Sequence, residues 1–329
     1  MKILITGGAG FIGSRVGQFY SFDNDVTLVD NMSYGRRENL YENCNFIETD
    51  VRGEDFSSLC YGKDVVLHFA AIAPLPDNQV KPVLSYENNV LGTLNVLESC
   101  RKAGVKKIIF ASTSAVYENC LNIPFKEEPL SEPPDLFYSM SKKVCEDICL
   151  SYVKNYDMDI TVLRFFNVYG PNQDHKRKQP PLMGYIVKCL IEDEQPTFYS
   201  NGEQKRDYIF VEDVCSLVDL CIKSDKSCGE IFNACSGESF SVKQIYNLYR
   251  EEYGSGQEAV FQLSEEFWHK YPDLFSTPFP LKKERVAKEV NKFSLGSAEK
   301  AKKILGFVPK YQIREGIRMC LEEVKKCTH

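Results

Sequence analysis

The sequence predicts an α/β fold: a doubly wound parallel sheet joined to a smaller mixed α/β C-terminal lobe. Three observations carry this. Short apolar runs alternate with helix-compatible stretches through the first half. The first run, Lys2-Ile3-Leu4-Ile5-Thr6, empties into Gly7-Gly8-Ala9-Gly10-Phe11-Ile12-Gly13. A second run, 26–29, ends in Asp30.

The glycine spacing has a physical reading. Gly7 permits a tight turn, Gly10 lets the backbone approach a pyrophosphate, and Gly13 lets the next helix pack on the strand. That helix, starting about 14–20, offers its unpaired N–H groups to phosphate. Asp30, about twenty residues beyond the turn, stands where a carboxylate holds the ribose hydroxyls of a dinucleotide. This is a Rossmann-type signature.

Further strands are expected at 45–48, 65–69, 107–111 and 161–165, besides 2–6 and 25–29. Their runs are apolar without alternation, as in parallel strands covered on both faces. Helices are expected at 86–103 and 139–156. The second half changes texture. A polar, proline-bearing loop spans 171–181, a helix 184–192, a turn-rich segment 199–208 and an irregular stretch 255–290. Two helices, about 297–305 and 313–326, close the chain. The expected organisation is a dinucleotide-binding lobe over 1–170, with a returning segment at about 206–236, and a substrate lobe over 171–329. Ligands would lie in the cleft between them.

Composition excludes several classes. A chain of 329 residues with a net charge of −6 lacks the basic face that nucleic acid requires. No apolar run is long enough to span a membrane, and because Met1 leads straight into the first strand, without a basic or separate apolar region before it, no signal peptide is expected. Thirteen cysteines include no Cys-x-x-Cys pair, and four histidines make a metal site unexpected. Free thiols in a reducing cytoplasm are the expectation, with Cys145 and Cys149 able to share a helix face.

Tyr138 and Lys142 are four apart on an expected helix, so they share a face. A phenol with a pKa near ~10 is a poor base at neutral pH, but a neighbouring cation lowers it. A tyrosine so tuned can take a hydroxyl proton while hydride leaves the same carbon. Upstream, the 107–111 strand runs into Ser112-Thr113-Ser114-Ala115-Val116-Tyr117, whose hydroxyls fall at the C-terminal end of a parallel strand, where such folds bind ligands. A turn cap is the alternative reading of these hydroxyls.

Taken in order, these motifs resemble an extended short-chain dehydrogenase/reductase, an NAD-dependent nucleotide-sugar epimerase of the UDP-glucose 4-epimerase type. Further matching stretches include His68-Phe69-Ala70-Ala71, Asn89-Val90-Leu91-Gly92-Thr93, Arg164-Phe165-Phe166-Asn167-Val168-Tyr169-Gly170-Pro171 and Arg206-Asp207-Tyr208-Ile209-Phe210. The similarity covers nearly the whole chain. It implies NAD as cofactor, with Gly7, Gly10 and Gly13 at the pyrophosphate, Asp30 at the ribose, and Asp50 and Val51 flanking adenine. Phe11, Ile12, Asn31, Ala70, Ala71 and Asn89 complete the cofactor set. Tyr138 would be the base, Lys142 would bind the nicotinamide ribose, and Thr113 would share the proton, with Ser114 as runner-up. Asn167 and Arg206 would grip the substrate diphosphate.

The resemblance also bears on the reaction. The dehydratase branch carries Thr-Asp-Glu where this chain has Thr113-Ser114-Ala115, so the carboxyls needed to eliminate water are missing. The decarboxylase branch carries a Glu after its hydroxyl cluster and Arg-Met after Gly-Pro, where Ala115 and Asn172-Gln173 stand here. Epimerisation fits best. A simple nucleotide-sugar oxidoreductase is the rival, and a catalytically silent NAD-binding regulator is the reading from another class. Two positions depart from the pattern. Glu118 stands where a glycine usually follows Val-Tyr, and Arg285-Val286-Ala287-Lys288-Glu289 replaces an Arg-x-Gly-Asp type segment, leaving a nucleotide role for Arg285 open. A basic stretch, His175-Lys176-Arg177-Lys178, is either a solvated loop or a contact for an acidic substrate group. The pattern places Ser294 at the wall beside carbon 2 of the sugar, where a small residue leaves room for a large substituent. It also pairs helices 86–103 and 139–156 across a two-fold axis as a homodimer, with Val90, Leu94, Val96, Leu97, Val144, Ile148 and Val153 as candidate contacts.

Overall fold

The computed structural model describes residues 1–54, 56–177 and 180–327. The first half runs β1 (Lys2–Thr6), α1 (Phe11–Tyr20), β2 (Asp25–Asp30), β3 (Asn45–Glu48), α2 (Phe56–Cys60) and β4 (Val65–His68). It continues with α3 (Leu75–Val80), α4 (Pro82–Tyr86), α5 (Gly92–Ala103), β5 (Lys107–Thr113), α6 (Phe137–Tyr156), β6 (Ile160–Phe165) and β7 (Asn167–Tyr169). Then come α7 (Leu182–Glu192), β8 (Thr197–Tyr199), β9 (Lys205–Phe210), α8 (Val211–Lys223), β10 (Ile231–Ala234), β11 (Ser239–Ser241) and α9 (Val242–Tyr253). The chain closes with β12 (Val260–Gln262), α10 (Lys283–Asn291), α11 (Glu299–Leu305) and α12 (Ile313–Cys327).

Seven strands form one parallel sheet in the order β10-β6-β5-β4-β1-β2-β3. Successive residues of a strand point to opposite faces, so each strand feeds two cores. Ile3, Ile5 and Ile109 pack with Val16 of α1 and Val214 and Val218 of α8. Leu4, Ile108 and Phe110 pack with Val96 and Leu97 of α5 and Cys145 and Cys149 of α6. Helices on both faces explain the unbroken apolar runs. A second, mixed sheet has the order β11-β9-β7. One residue, Phe166, separates β6 from β7, so the chain passes from one sheet to the other at the C-terminal edge of the first.

The structure refines several expectations. The helix expected at 86–103 is α4 and α5 joined by a turn of π-helix, Glu87–Leu91. The 199–208 segment is not merely a turn: it ends β8, reverses through Ser200 and Gly202 at positive φ of 65° and 77°, and begins β9. The 255–290 stretch holds β12 and most of α10, and buries Trp268. Elements β7, β10, β11, α8 and α9 lie in stretches that carried no assignment. Of the returning segment, α8 and β10 lie on the large sheet while β9 lies in the small one. The thiols described are free, and Cys145 and Cys149 are both fully buried. Among the described residues, no helix is long and apolar enough to cross a membrane, and no His/Cys/Asp/Glu group could hold a metal ion.

One buried ion pair ties three elements together. Arg164 on β6 donates to both oxygens of Glu146 on α6, Nε at 2.8 Å and Nη2 at 2.7 Å. Glu146 also accepts from the Ser112 hydroxyl of β5 at 2.6 Å. Arg164 Nη1 donates to the Tyr117 hydroxyl, which donates to Asn233 Oδ1 on β10, each at 2.8 Å. Removing one partner strands a buried charge. Arg164→Met is therefore expected to lose about 3–5 kcal/mol in urea unfolding. The double change Arg164→Met/Glu146→Leu should recover most of that loss. A single variant within about 0.5 kcal/mol of wild type would contradict this account.

Candidate active site

A cavity of about 490 Å³ opens beside the glycine turn. Gly7 has φ +70° and a Cβ there would fall 2.8 Å from the Ala70 nitrogen. A Cβ on Gly13 would fall 2.2 Å from the Gly7 carbonyl oxygen, so α1 sits directly on the turn. The first bond of the helix runs from the Ser14 N–H to the Gly10 oxygen at 3.0 Å. The N–H groups of Phe11, Ile12 and Gly13 therefore precede the helical ladder. Of the residues expected at the cofactor, Gly7, Gly10, Asp30, Asn31, Val51, Ala70 and Ala71 line the cavity. The cavity also takes Asn88, Asp77 and Tyr271, which sequence reasoning did not single out.

Asp30 is fixed by backbone. Its carboxylate accepts from the Ala9 N–H at 3.1 Å and the Met32 N–H at 2.9 Å. Burial raises its pKa, and these two donors oppose the rise. Asp50 accepts from Arg52 Nε at 2.8 Å and Nη2 at 2.7 Å, and from Asn31 Nδ2 at 2.8 Å. The Arg52 guanidinium holds the Asp50 carboxyl below its usual range, so it is an anion at the cavity rim beside Val51. The nearby cations are taken up: Arg36 pairs with Asp174 at 2.8 Å and Arg37 with Glu48. Asp174 also accepts from the N–H groups of Lys176 and Arg177 at 3.0 Å, which folds the basic stretch onto it. Lys178 lies outside the described residues. Asn89 is buried. It accepts from the Ile72 N–H at 2.8 Å and donates to the Ser141 hydroxyl at 3.2 Å, so it braces the 70–72 segment against α6.

Thr113 ends β5, and Tyr138 is the second residue of α6. The Thr113 side chain pulls the phenol down. Burial outweighs it and pushes Tyr138 up to about 12. The cation expected to lower the phenol is not the dominant influence in the protein alone. Lys142 follows one turn on, is 3% exposed, and has its Nζ 4.3 Å from the Phe110 ring centroid. Burial lowers its pKa. The adjacent His68, bonded to Thr6 at 2.7 Å and Thr93 at 3.0 Å, is pushed down to about 3 by burial and the Lys142 charge, and so stays neutral. Ser114 opens a 3₁₀ turn, Ser114–Tyr117, that Thr113 caps by accepting from the Ala115 N–H at 3.1 Å. The turn-cap reading holds for Thr113, and the Ser112 hydroxyl is taken by Glu146.

The residues expected at the substrate lie on and beside the second sheet, and neither they nor Thr113, Tyr138 and Lys142 line the 490 Å³ cavity. Asn167 donates to the Asp207 carbonyl at 2.8 Å and is exposed. Arg206 donates to the carbonyls of Glu289 at 3.0 Å and Val290 at 3.2 Å, at the end of α10. Asp207, fully buried, accepts from Ser236, Gly237 and Gly296. Gly296 is thereby fixed, and Ser294 donates its N–H to Lys205 at 3.0 Å. The Ser294 hydroxyl is buried and has no hydrogen-bond partner. The residues sequence reasoning missed are Glu146 and Asn88; Glu118 was noted only as a departure, without a partner. An arginine inside the apolar 160–165 run was the visible sign that a buried acid must face it.

Residues 3–235 match the family described as "NAD dependent epimerase/dehydratase". The UDP-glucose 4-epimerase of Corynebacterium glutamicum is 31% identical over 267 residues, covering 77% of this chain and 81% of that protein. The structure of a UDP-glucose 4-epimerase from Thermotoga maritima, with UDP-glucose, superposes with a TM-score of 0.88 at 30% identity over 100% of both chains. A UDP-glucuronic acid 4-epimerase from Bacillus cereus, in complex with UDP-glucuronic acid and NAD, gives 0.82 at 26% identity over 99% of this chain and 100% of that one. The alanine and glycine walls of the cavity, with Asp30 at its side, suit that cofactor. The chain belongs to the NAD-dependent epimerase/dehydratase family, and its cofactor is NAD.

Proposed function

We propose that the protein is a nucleotide-sugar 4-epimerase acting on a UDP-hexose, UDP-N-acetylhexosamine or UDP-uronic acid through a 4-keto intermediate. The observation that carries this is the placing of Tyr138 and Lys142 one turn apart on α6, the helix that packs against β5 and its terminal Thr113. NAD, when bound, supplies the hydride acceptor for carbon 4 and a positive charge near the phenol. Thr113 bonds the 4-hydroxyl and passes its proton toward Tyr138. Lys142, whose Nζ lies over the Phe110 ring, would bind the nicotinamide ribose. Asn167 and Arg206 would hold the diphosphate while the ketosugar turns, so that the hydride would return to the other face of carbon 4 while Tyr138 returns the proton to its oxygen. Ser114-Ala115 supplies no carboxyl, so neither dehydration nor decarboxylation has its acid here.

The test is incubation with a panel of UDP-, GDP-, CDP- and dTDP-sugars, with product NMR. A 4-epimer is expected from at least one UDP-sugar. Tyr138→Phe should keep its NAD and fold but lose roughly 10²-fold or more in turnover. Turnover near wild type in that variant would remove Tyr138 from the mechanism.

Ser294 is proposed as the pocket wall beside carbon 2. Its buried, unpartnered hydroxyl supports a small polar boundary open to a large substituent. Overpacking such a site with tyrosine costs about 1–3 kcal/mol. Ser294→Tyr should lower activity on N-acetylated sugars relative to plain ones. An unchanged ratio would show that Ser294 is not the wall.

A homodimer through α5 and α6 is also proposed. Val144 of α6 and Leu91 of the π-helical turn before α5 are exposed, whereas Val96 and Leu97 are spent on the sheet core. Light scattering at micromolar concentration should give twice the chain mass; a monomer would refute the pairing.

A further inference from the structure

Tyr138 is the second residue of α6, so its direction depends on how that helix begins. Leu136, at the start, has no side chain to cap the helix. The first N–H groups of a helix have no partner within it. Here they are met from outside. The Leu136 N–H donates to Glu118 Oε1 at 2.9 Å, and the Phe137 N–H donates to Gln79 Oε1 at 2.8 Å. Glu118 Oε1 also accepts from the Asp135 N–H, and its Oε2 accepts from the Ser139 hydroxyl at 2.9 Å. One carboxylate thus grips the backbone before Tyr138 and the side chain after it. A negative charge is favourable at that end of a helix.

The same carboxylate is held from the other lobe. Arg285 Nη2, on α10, lies 3.0 Å from Glu118 Oε2, and the Glu118 side chain is 1% exposed. One turn on, Lys288 donates to Asn119 Oδ1 at 2.7 Å. Val286, between them, is buried in a cluster with Leu136, Trp268 and Leu274. All three guanidinium nitrogens of Arg285 are buried without a hydrogen-bond partner, so Nη2 meets Glu118 as a close ion pair and not through a hydrogen bond. Glu118 and the Arg285 segment both depart from the family pattern. The two departures meet in one ion pair.

We propose that Glu118 is a positioning residue for Tyr138, an inference that rests on the epimerase reading. Its carboxylate sets the first turn of α6 and with it the direction of Tyr138 toward the end of β5. Arg285 fixes that carboxylate from α10. A glycine at this position would leave the start of α6 to Gln79 alone.

The holoenzyme is compared with Glu118→Gln, Arg285→Met and the double variant. Glu118→Gln should lower kcat about tenfold or more, because small misplacements of a reacting group are costly. The KM for the nucleotide sugar should stay within about twofold, and bound NAD should be unchanged. Glu118→Gln also leaves Arg285 buried and unpaired, so its Tm should fall. The double variant removes that charge, so Tm should recover while kcat stays low. Recovery of kcat along with Tm, no loss of kcat in Glu118→Gln, or a loss carried wholly by KM would overturn the proposal. A readout without turnover is the carbon-13 Cζ signal of Tyr138, assigned as the one missing from Tyr138→Phe. It should move in Glu118→Gln and stay moved in the double variant; an unmoved signal overturns the positioning role. Absence of wild-type turnover on every sugar would overturn the epimerase reading instead, and the Tyr138 signal would still decide the positioning.

Discussion

The carboxylate of Glu146 is the point on which the arrangement of the site depends. It accepts from Ser112 on β5 and, through two bonds, from Arg164 on β6. Ser112 is the residue before Thr113, and Glu146 lies on the helix that carries Tyr138 and Lys142. The ion pair therefore sets the register of α6 against the end of β5. Burying such a pair returns little net stability, because both charges lose their water. What it supplies is geometry: a helix shifted along its axis would break three charge-assisted bonds at once.

The electrostatics of the site follow from the same pairing. Arg164 takes both oxygens of Glu146, so Lys142 one turn away has an aromatic face beneath it. A cation over a ring gains some attraction but keeps donors for a ligand. His68 cannot share the charge, since burial holds it neutral. The Tyr138 phenol is raised to about 12 for the same reason. The pocket is thus costly for isolated charge, and a cationic cofactor ring is the kind of group that would offset that cost.

Much of this was legible in the sequence, and the reasons differ by feature. The glycine turn was legible because its constraint is local: the Gly7 φ and the closeness of Gly13 to Gly7 depend on a few neighbouring residues. Tyr138 and Lys142 were legible because helical spacing alone puts them on one face. The missed strands β7, β8, β10 and β11 have only three or four residues, whereas α8 and α9, of 13 and 12 residues, carry helical apolar faces that went unread. Strand β8 has three residues, and α10 buries two, Val286 and Glu289, too few to mark a periodicity. The positively shifted turn between β8 and β9 dominated the composition there. Glu118 appeared as a lost glycine, because its partner Arg285 is far along the chain and joined to it only by the fold. Lys142 was expected to tune Tyr138, yet burial governs both groups in the protein alone.

The most direct test of the account asks where the hydrogen on carbon 4 goes. Epimerisation through a 4-ketosugar, with Tyr138 moving only the hydroxyl proton, returns the original hydrogen to carbon 4. The reaction is run in D₂O with the UDP-sugar that the protein turns over, and the product is read by NMR. The account predicts protium retained at carbon 4 of the inverted sugar. Deuterium at that carbon would mean that a base removes the carbon-bound proton, and would contradict it.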